Sequence, residues 1–252
     1  MKVALQLYSV RNDCAKDFFG TLEAVSGLGY EGVEFAGFYG RSASEVRDRL
    51  DKLGLDVAGS HTGFNALILW SLDRTISFNQ TLKNKNVIIP GLPGELATTK
   101  DDWYKFAGFL NELSGKLKPL GMRIGYHNHL SEFVQIEGER PWDILGKQAK
   151  DAILQLDVGH ATRSLGSADE AIAQLDKYPG RYLTVHVKDY SKVKGYNVIP
   201  GEGDINWEKF LLACKRNGTE WLIIEQEEYP YGTPLETAKK ALKNLREMLA
   251  SI

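Results

Sequence analysis

The sequence holds only two cysteines, Cys14 and Cys214, with no Cys-x-x-Cys pair or Cys/His cluster around either. That excludes a disulfide framework and a thiolate metal knuckle, and leaves both as reduced, buried thiols. No apolar run approaches the roughly 20 residues that cross a bilayer. The start, MKVALQLYSVRND, continues straight into strand-like sequence without the small-residue cleavage site of a signal peptide. The expectation is a cytoplasmic protein with no membrane partner. An excess of one charge is also missing, because 31 basic and 33 acidic side chains leave a formal net charge of -2. A protein that neutralises a phosphate backbone carries a basic excess or stripe, so nucleic acid is not an expected partner. No linker or low-complexity segment divides the 252 residues, of which 43% are hydrophobic and 25% charged, so a globular chain with ample core is expected.

What the sequence does contain is an alternation of short β-rich runs with longer stretches of helical periodicity, from one end to the other. The predicted strands are Val3 to Tyr8, Gly32 to Ala36, Asp56 to Ser60, Asn86 to Pro90, Arg123 to Asn128, Ile153 to Val158, Tyr182 to Lys188 and Trp221 to Gln226. Most are apolar through the middle and end in a polar residue, as in a parallel sheet covered on both faces. Between them Phe18, Leu22, Val25 and Leu28, then Val46, Leu50 and Leu53, fall on one helical face each. Gly29, Gly54, Gly121 and Gly218 stand where those helices must stop. An open doubly wound sheet would carry a Gly-rich phosphate turn after its first strand, whereas here that turn reads Tyr8-Ser9-Val10-Arg11. Eight strand-helix pairs in 252 residues predict an α/β fold, a single parallel eight-stranded (β/α)8 TIM barrel spanning residues 1–252.

In such a barrel the chemistry sits at the C-terminal ends of the strands. Those ends hold Glu34, His61, the run Tyr126-His127-Asn128-His129, Asp157 with His160, His186 with Lys188 and Asp189, and Glu225. All five histidines of the chain are among them. Solvated surface histidines have no reason to gather on one rim. Asp157, His186 and Glu225, on three neighbouring strands, are the expected ligands of a divalent ion such as Mn, Co, Mg or Zn.

In order along the chain, the segments Gly125-Tyr-His-Asn-His129 with Glu132, Leu156-Asp-Val-Gly-His160, Val185-His-Val-Lys-Asp189, Pro200-Gly-Glu-Gly-Asp-Ile-Asn-Trp207 and Ile224-Glu225 resemble the sugar phosphate isomerase/epimerase superfamily, the xylose isomerase-like TIM barrels. The resemblance covers essentially the whole chain. It implies that Asp157, His186 and Glu225 are metal ligands, and that His127 and His160 contact substrate or move protons. Epimerases of this group place a glutamate on strand five as ligand and acid/base partner, and Gly125 aligns with it here. The fourth ligand is then expected to be His129 or Glu132, and inosose dehydratase-like relatives, which also lack that glutamate, keep a lyase reading open.

A carbon-bound proton beside a carbonyl is very weakly acidic, so its removal needs the developing enolate stabilised in advance, which a chelated divalent ion does as a Lewis acid. His127 is the first choice as base, Glu225 shares the role, and Lys188 stabilises the oxyanion. His61, His160, Glu34 and Trp207 are the expected substrate contacts, and the long Gly-rich segment from Asp189 to Gly203 is expected to cover the site. The expected function is a metal-dependent sugar or sugar phosphate isomerase/epimerase working through an enediolate on a small carbohydrate. A dehydratase of a keto-sugar or inosose is the alternative, with an abasic-site endonuclease and a non-catalytic sugar-binding barrel behind it. Homo-oligomerisation is left open.

Overall fold

A strand whose every side chain is buried reads as an unbroken apolar run, and Asn86–Ile89 and Trp221–Ile224 are of that kind, buried at all positions. In a computed structural model, which describes residues 1–252, eight strands close into a barrel in sequence order. They are β1 (Lys2–Gln6), β2 (Gly32–Phe35), β3 (Asp56–His61), β4 (Asn86–Ile89), β5 (Arg123–His127), β6 (Ile153–Asp157), β7 (Thr184–Val187) and β8 (Trp221–Ile224). β1 pairs in parallel with both β2 and β8, the latter through Lys2 opposite Trp221 to Leu5 opposite Ile224, which seals the ring. The (β/α)8 expectation is met. β7 and β8 are shorter than predicted: Lys188, Glu225 and Gln226 lie just past the ladder, and β7 also starts two residues late. β3 instead runs one residue further, to His61.

The helices are α1 (Arg11–Lys16), α2 (Phe18–Leu28), α3 (Ala43–Leu53), α4 (Ser71–Thr81), α5 (Lys100–Leu117), α6 (Pro141–Gln148), α7 (Val158–Leu165), α8 (Ala168–Lys177), α9 (Trp207–Arg216) and α10 (Pro234–Leu249). Three of them begin with a reciprocal cap: Ser42 with Glu45, Thr99 with Asp102, and Thr233 with Glu236. Each cap satisfies two N–H groups that the first turn would leave unpaired. Gly29 and Gly54 close α2 and α3 at φ 96 and 65, a left-handed conformation that a side chain would strain. Phe18, Leu22, Val25, Val46 and Leu50 are buried and belong to one core of 56 residues. No helix is long and apolar enough to cross a membrane.

The foot of the barrel is closed by Trp221, which packs with Ala4, Ala58 and Ile223 in a small separate cluster. The neighbours are small for a reason: a Cβ on Gly32 would stand 2.8 Å from the Trp221 ring. Gly125 is equally confined. A Cβ there would meet Ile88 at 2.7 Å, Ile153 Cβ at 2.8 Å and the Ile153 carbonyl oxygen at 2.9 Å. No glutamate side chain fits at that position.

Gly125→Ala is therefore expected to destabilise the protein by about 1–3 kcal/mol through overpacking. A lowered urea midpoint with an unchanged m-value checks this, and parental stability would contradict the packing. Burial, with Asp13 adding to it, pushes the Cys14 thiol up to about 12, and burial raises Cys214 as well. Neither forms appreciable thiolate at pH 8, so the native protein is expected to leave Ellman's reagent unreacted until denaturant opens the fold.

Candidate metal centre

At the centre of the barrel lies a fully buried carboxylate, Glu34 on β2. An ion so placed persists only when its lone pairs are filled. Gln6 Nε2 donates to Oε2 at 2.7 Å, Gln155 Nε2 to Oε1 at 2.7 Å, and His186 Nε2 stands 2.6 Å from Oε2. Burial pushes the Glu34 carboxyl up, but His61 and His186 outweigh it and hold the group below the usual carboxylate range. Because a carboxylate only accepts, the Gln155 amide must turn its NH2 to Glu34 and its oxygen to His61, 2.8 Å from Nε2. His61 therefore carries its proton on Nε2, leaving the Nδ1 lone pair free. Burial holds this ring below the ordinary imidazole range.

The other nitrogen of His186, Nδ1, faces Glu225 Oε2 at 3.0 Å and Asp157 Oδ2 at 3.9 Å. With His127 these residues offer four donor atoms all within 4.8 Å of one another, one from each of the last four strand ends. Two of the buried atoms here, His127 Nδ1 and Asp157 Oδ2, have no hydrogen-bond partner. Burial, reinforced by His186 and His61, holds His127 well below the usual imidazole range, so its ring is neutral with a lone pair to give. Two imidazole nitrogens and two carboxylate oxygens with unpaired buried atoms fit a borderline divalent ion. The carboxylate behind His186 is the outer partner that orients a ligating imidazole. Burial opposes the imidazolium of His186, yet Glu34 and Glu225 raise it to about 10.

Lys188, just beyond β7, is only 2% exposed. Its ammonium lies 3.1 Å from Glu225 Oε2, 3.6 Å from Asp157 Oδ2 and 2.6 Å from Glu227 Oε1. Burial works against its charge, but these carboxylates outweigh burial and raise the group. His160 Nε2 is 3.1 Å away, and since an ammonium only donates, that nitrogen accepts. His160 then holds its proton on Nδ1 and donates it to Tyr196 Oη at 2.7 Å. The backbone N–H of His160 caps onto Asp157 Oδ1 at 2.7 Å, which fixes the start of α7 and the carboxylate together.

His61, His127, Asp157, His160, His186, Lys188 and Glu225 are thus gathered at one mouth. Four other expected residues lie outside the four-donor cluster, although the His129 ring stands at the same mouth, 5.0 Å from that of His127 and 5.1 Å from that of His160. Glu132 is committed elsewhere, accepting from Tyr126 Oη at 2.9 Å and from the His129 N–H at 2.8 Å, and His129 itself is exposed on the rim. His127 takes the place expected of His129 or Glu132. The strand-five position at cluster height is therefore His127, two residues beyond Gly125. Glu34, expected as a substrate contact, is fully buried against His186. Trp207 is buried with its indole N–H on Asp189 Oδ2 at 2.9 Å, so it is a strut for the 189–207 segment. The same carboxylate accepts from Gly201 N and Gly203 N, each at 2.9 Å. Sequence reasoning missed Gln6, Gln155, Glu227 and Tyr196. Glu227 was within reach, being two residues beyond Glu225.

Residues 22–248 match the family described as xylose isomerase-like TIM barrel. An inosose dehydratase of Clostridium perfringens is 30% identical over 179 residues, covering 63% of this chain and 59% of that protein, so the chain spans less than two thirds of that relative's length. A solved sugar phosphate isomerase/epimerase from Parabacteroides distasonis superposes with a TM-score of 0.80 at 20% identity, covering 98% of this chain and 95% of the other. The IOLI protein with a binding zinc atom superposes at 0.74 with 18% identity, covering 100% and 99%. These two likenesses show the shared barrel.

His127→Ala, His186→Ala and Glu225→Gln are each expected to lower bound Zn or Mn measured by plasma mass spectrometry, while His129→Ala keeps the parental content. At a hundredfold excess over Kd, metal should stabilise the parent by about 2.7 kcal/mol. That amounts to a Tm rise of several degrees, which the three cluster variants lose.

Proposed function

The chain belongs to the xylose isomerase-like TIM barrel family, and on that premise we propose that it is a divalent-metal-dependent dehydratase acting on a small polyhydroxylated ketone. The observation that carries this is an unequal pair of proton-handling groups on opposite sides of the four-donor cluster. His61, with a free Nδ1 lone pair, stands on β3, and Lys188, rich in protons, stands beyond β7, four strands away around the ring of eight. A carboxylate relay that returns a proton to the neighbouring carbon lacks its strand-five member, because that place is taken by the imidazole of His127.

His127, Asp157, His186 and Glu225 would hold the ion. When bound, it supplies a Lewis acid that polarises a carbonyl oxygen and acidifies the adjacent C–H. His61 accepts that proton at Nδ1, while Gln155 and Glu34 hold the ring in the required tautomer. Lys188 donates a proton from Nζ to the β-hydroxyl. The C–H and C–O bonds break, a C=C bond forms, and one water leaves. Proton return from His61 to Lys188 through solvent resets the pair. His160, pinned by Tyr196, keeps Lys188 aimed across the cluster. Inosose dehydratases among the relatives of known name agree with this reading.

Isomerisation or epimerisation, the expectation from sequence, shares the first proton transfer and is the second reading. The metal-loaded protein, given an inosose and, separately, fructose in D2O, is expected to release water and form an enone absorbing in the ultraviolet. Deuterium incorporation without water loss would favour the isomerase reading, and no exchange in any keto-sugar would remove both. His61→Ala is expected to lower kcat by about 10²–10⁴-fold while metal content stays at the parental level.

A further inference from the structure

Beside the cluster opens a cavity of about 420 Å³, within the range of roughly 300–1,000 Å³ typical of small-molecule sites. His61 forms its inner wall, and the His61 ring lies 4.9 Å from that of His127. An aromatic pair, Phe38 and Phe78 with centroids 4.4 Å apart, forms an apolar side. The outer lip is one flank of α4, which brings Ser71, Arg74 and Thr75 to the space. Thr75 is spent on the Ala66 carbonyl at 2.6 Å. Arg74 is not spent: the ion-paired arginines are Arg47, Arg49, Arg123 and Arg216, and Arg74 makes no hydrogen bond either. No acidic residue lines the cavity, and Asp73, the one acid in the first turn of α4, is not part of its wall. The first N–H groups of α4 are spent, Ser71 N on the Ile68 carbonyl and Leu72 N on that of Leu69, so the guanidinium is the cation at this wall.

We propose that this cavity is an oxyanion subsite, in which Arg74 and the Ser71 hydroxyl bind a phosphate or carboxylate carried by the substrate at the end away from the reacting carbons. The assignment rests on the proposed function in that the cavity adjoins the same cluster. A planar guanidinium pairs with either oxyanion through two parallel hydrogen bonds, and the Ser71 hydroxyl beside it adds a donor. Phe38 and Phe78 offer flat apolar faces to the sugar carbons between the two ends. The reacting ketone would then lie under His61, with the acidic tail held at the rim, so Arg74 selects acidic sugars over neutral ones.

Isothermal titration of the metal-loaded protein with fructose, fructose 6-phosphate, glucuronate and inorganic phosphate tests this. At least one of the two acidic sugars is expected to bind about tenfold or more tightly than fructose, the scale of one charge-assisted hydrogen bond. A gain confined to fructose 6-phosphate or to glucuronate identifies the group that the subsite takes. Arg74→Met, checked for folding by circular dichroism, is expected to erase the preference and weaken inorganic phosphate, and Arg74→Lys to keep part of both. Equal affinity for charged and neutral sugars, absence of binding by every charged probe, or a preference that survives Arg74→Met would overturn the subsite. Binding heats need no turnover, so failure of the proposed elimination and failure of the subsite are read from separate measurements.

Discussion

The buried carboxylate of Glu34 is the constraint around which the upper barrel is arranged. A carboxylate wholly removed from water is tolerated only with several donors of fixed geometry, and Gln6, Gln155 and His186 supply them. Meeting that demand settles the rest. The His186 ring is turned so that Nδ1 looks to Asp157 and Glu225, and the Gln155 amide is turned so that His61 keeps its proton on the far nitrogen. One anion thus sets the orientation of two imidazoles that never touch each other through a hydrogen bond.

Much of this is legible in the sequence. Residues with hard oxygen and imidazole donors at strand ends identify a mouth, because the parallel topology exposes only those tips, and Asp157, His186 and Glu225 were found that way. On β5 the alignment of the missing glutamate with Gly125 points to His129 and Glu132, whereas the cluster includes His127. Period-two alternation leaves both Gly125 and His127 facing inward, and only height along the barrel axis separates them. Height is a tertiary quantity set by strand stagger. Trp207 misled for another reason: an aromatic near a Gly-rich loop suggests a sugar platform, but its N–H answers the buried Asp189.

The residues that escaped notice share one character. Gln6, at the end of β1, and Gln155, inside β6, are uncharged, so nothing in their type advertises a role, and their importance comes only from facing Glu34 across the lumen. Tyr196 lies in a connection with no periodicity, carried to His160 by a turn that Asp189 organises through Gly201 and Gly203. Burial raises the Asp189 carboxyl, against the pull of those donors. The halves of the ring also divide their labour: β5 to β8 bring the four donors together, while the β2 and β3 side, with α4, shapes the adjoining cavity.

Trp221 wedged among Ala4, Ala58 and Gly32 has a bearing on traffic. With the narrow end stoppered by an indole, the cylinder is a cup and not a pipe. Whatever arrives at the bottom of that cup must back out by the way it came, so each departing molecule contends with the next one for a single doorway.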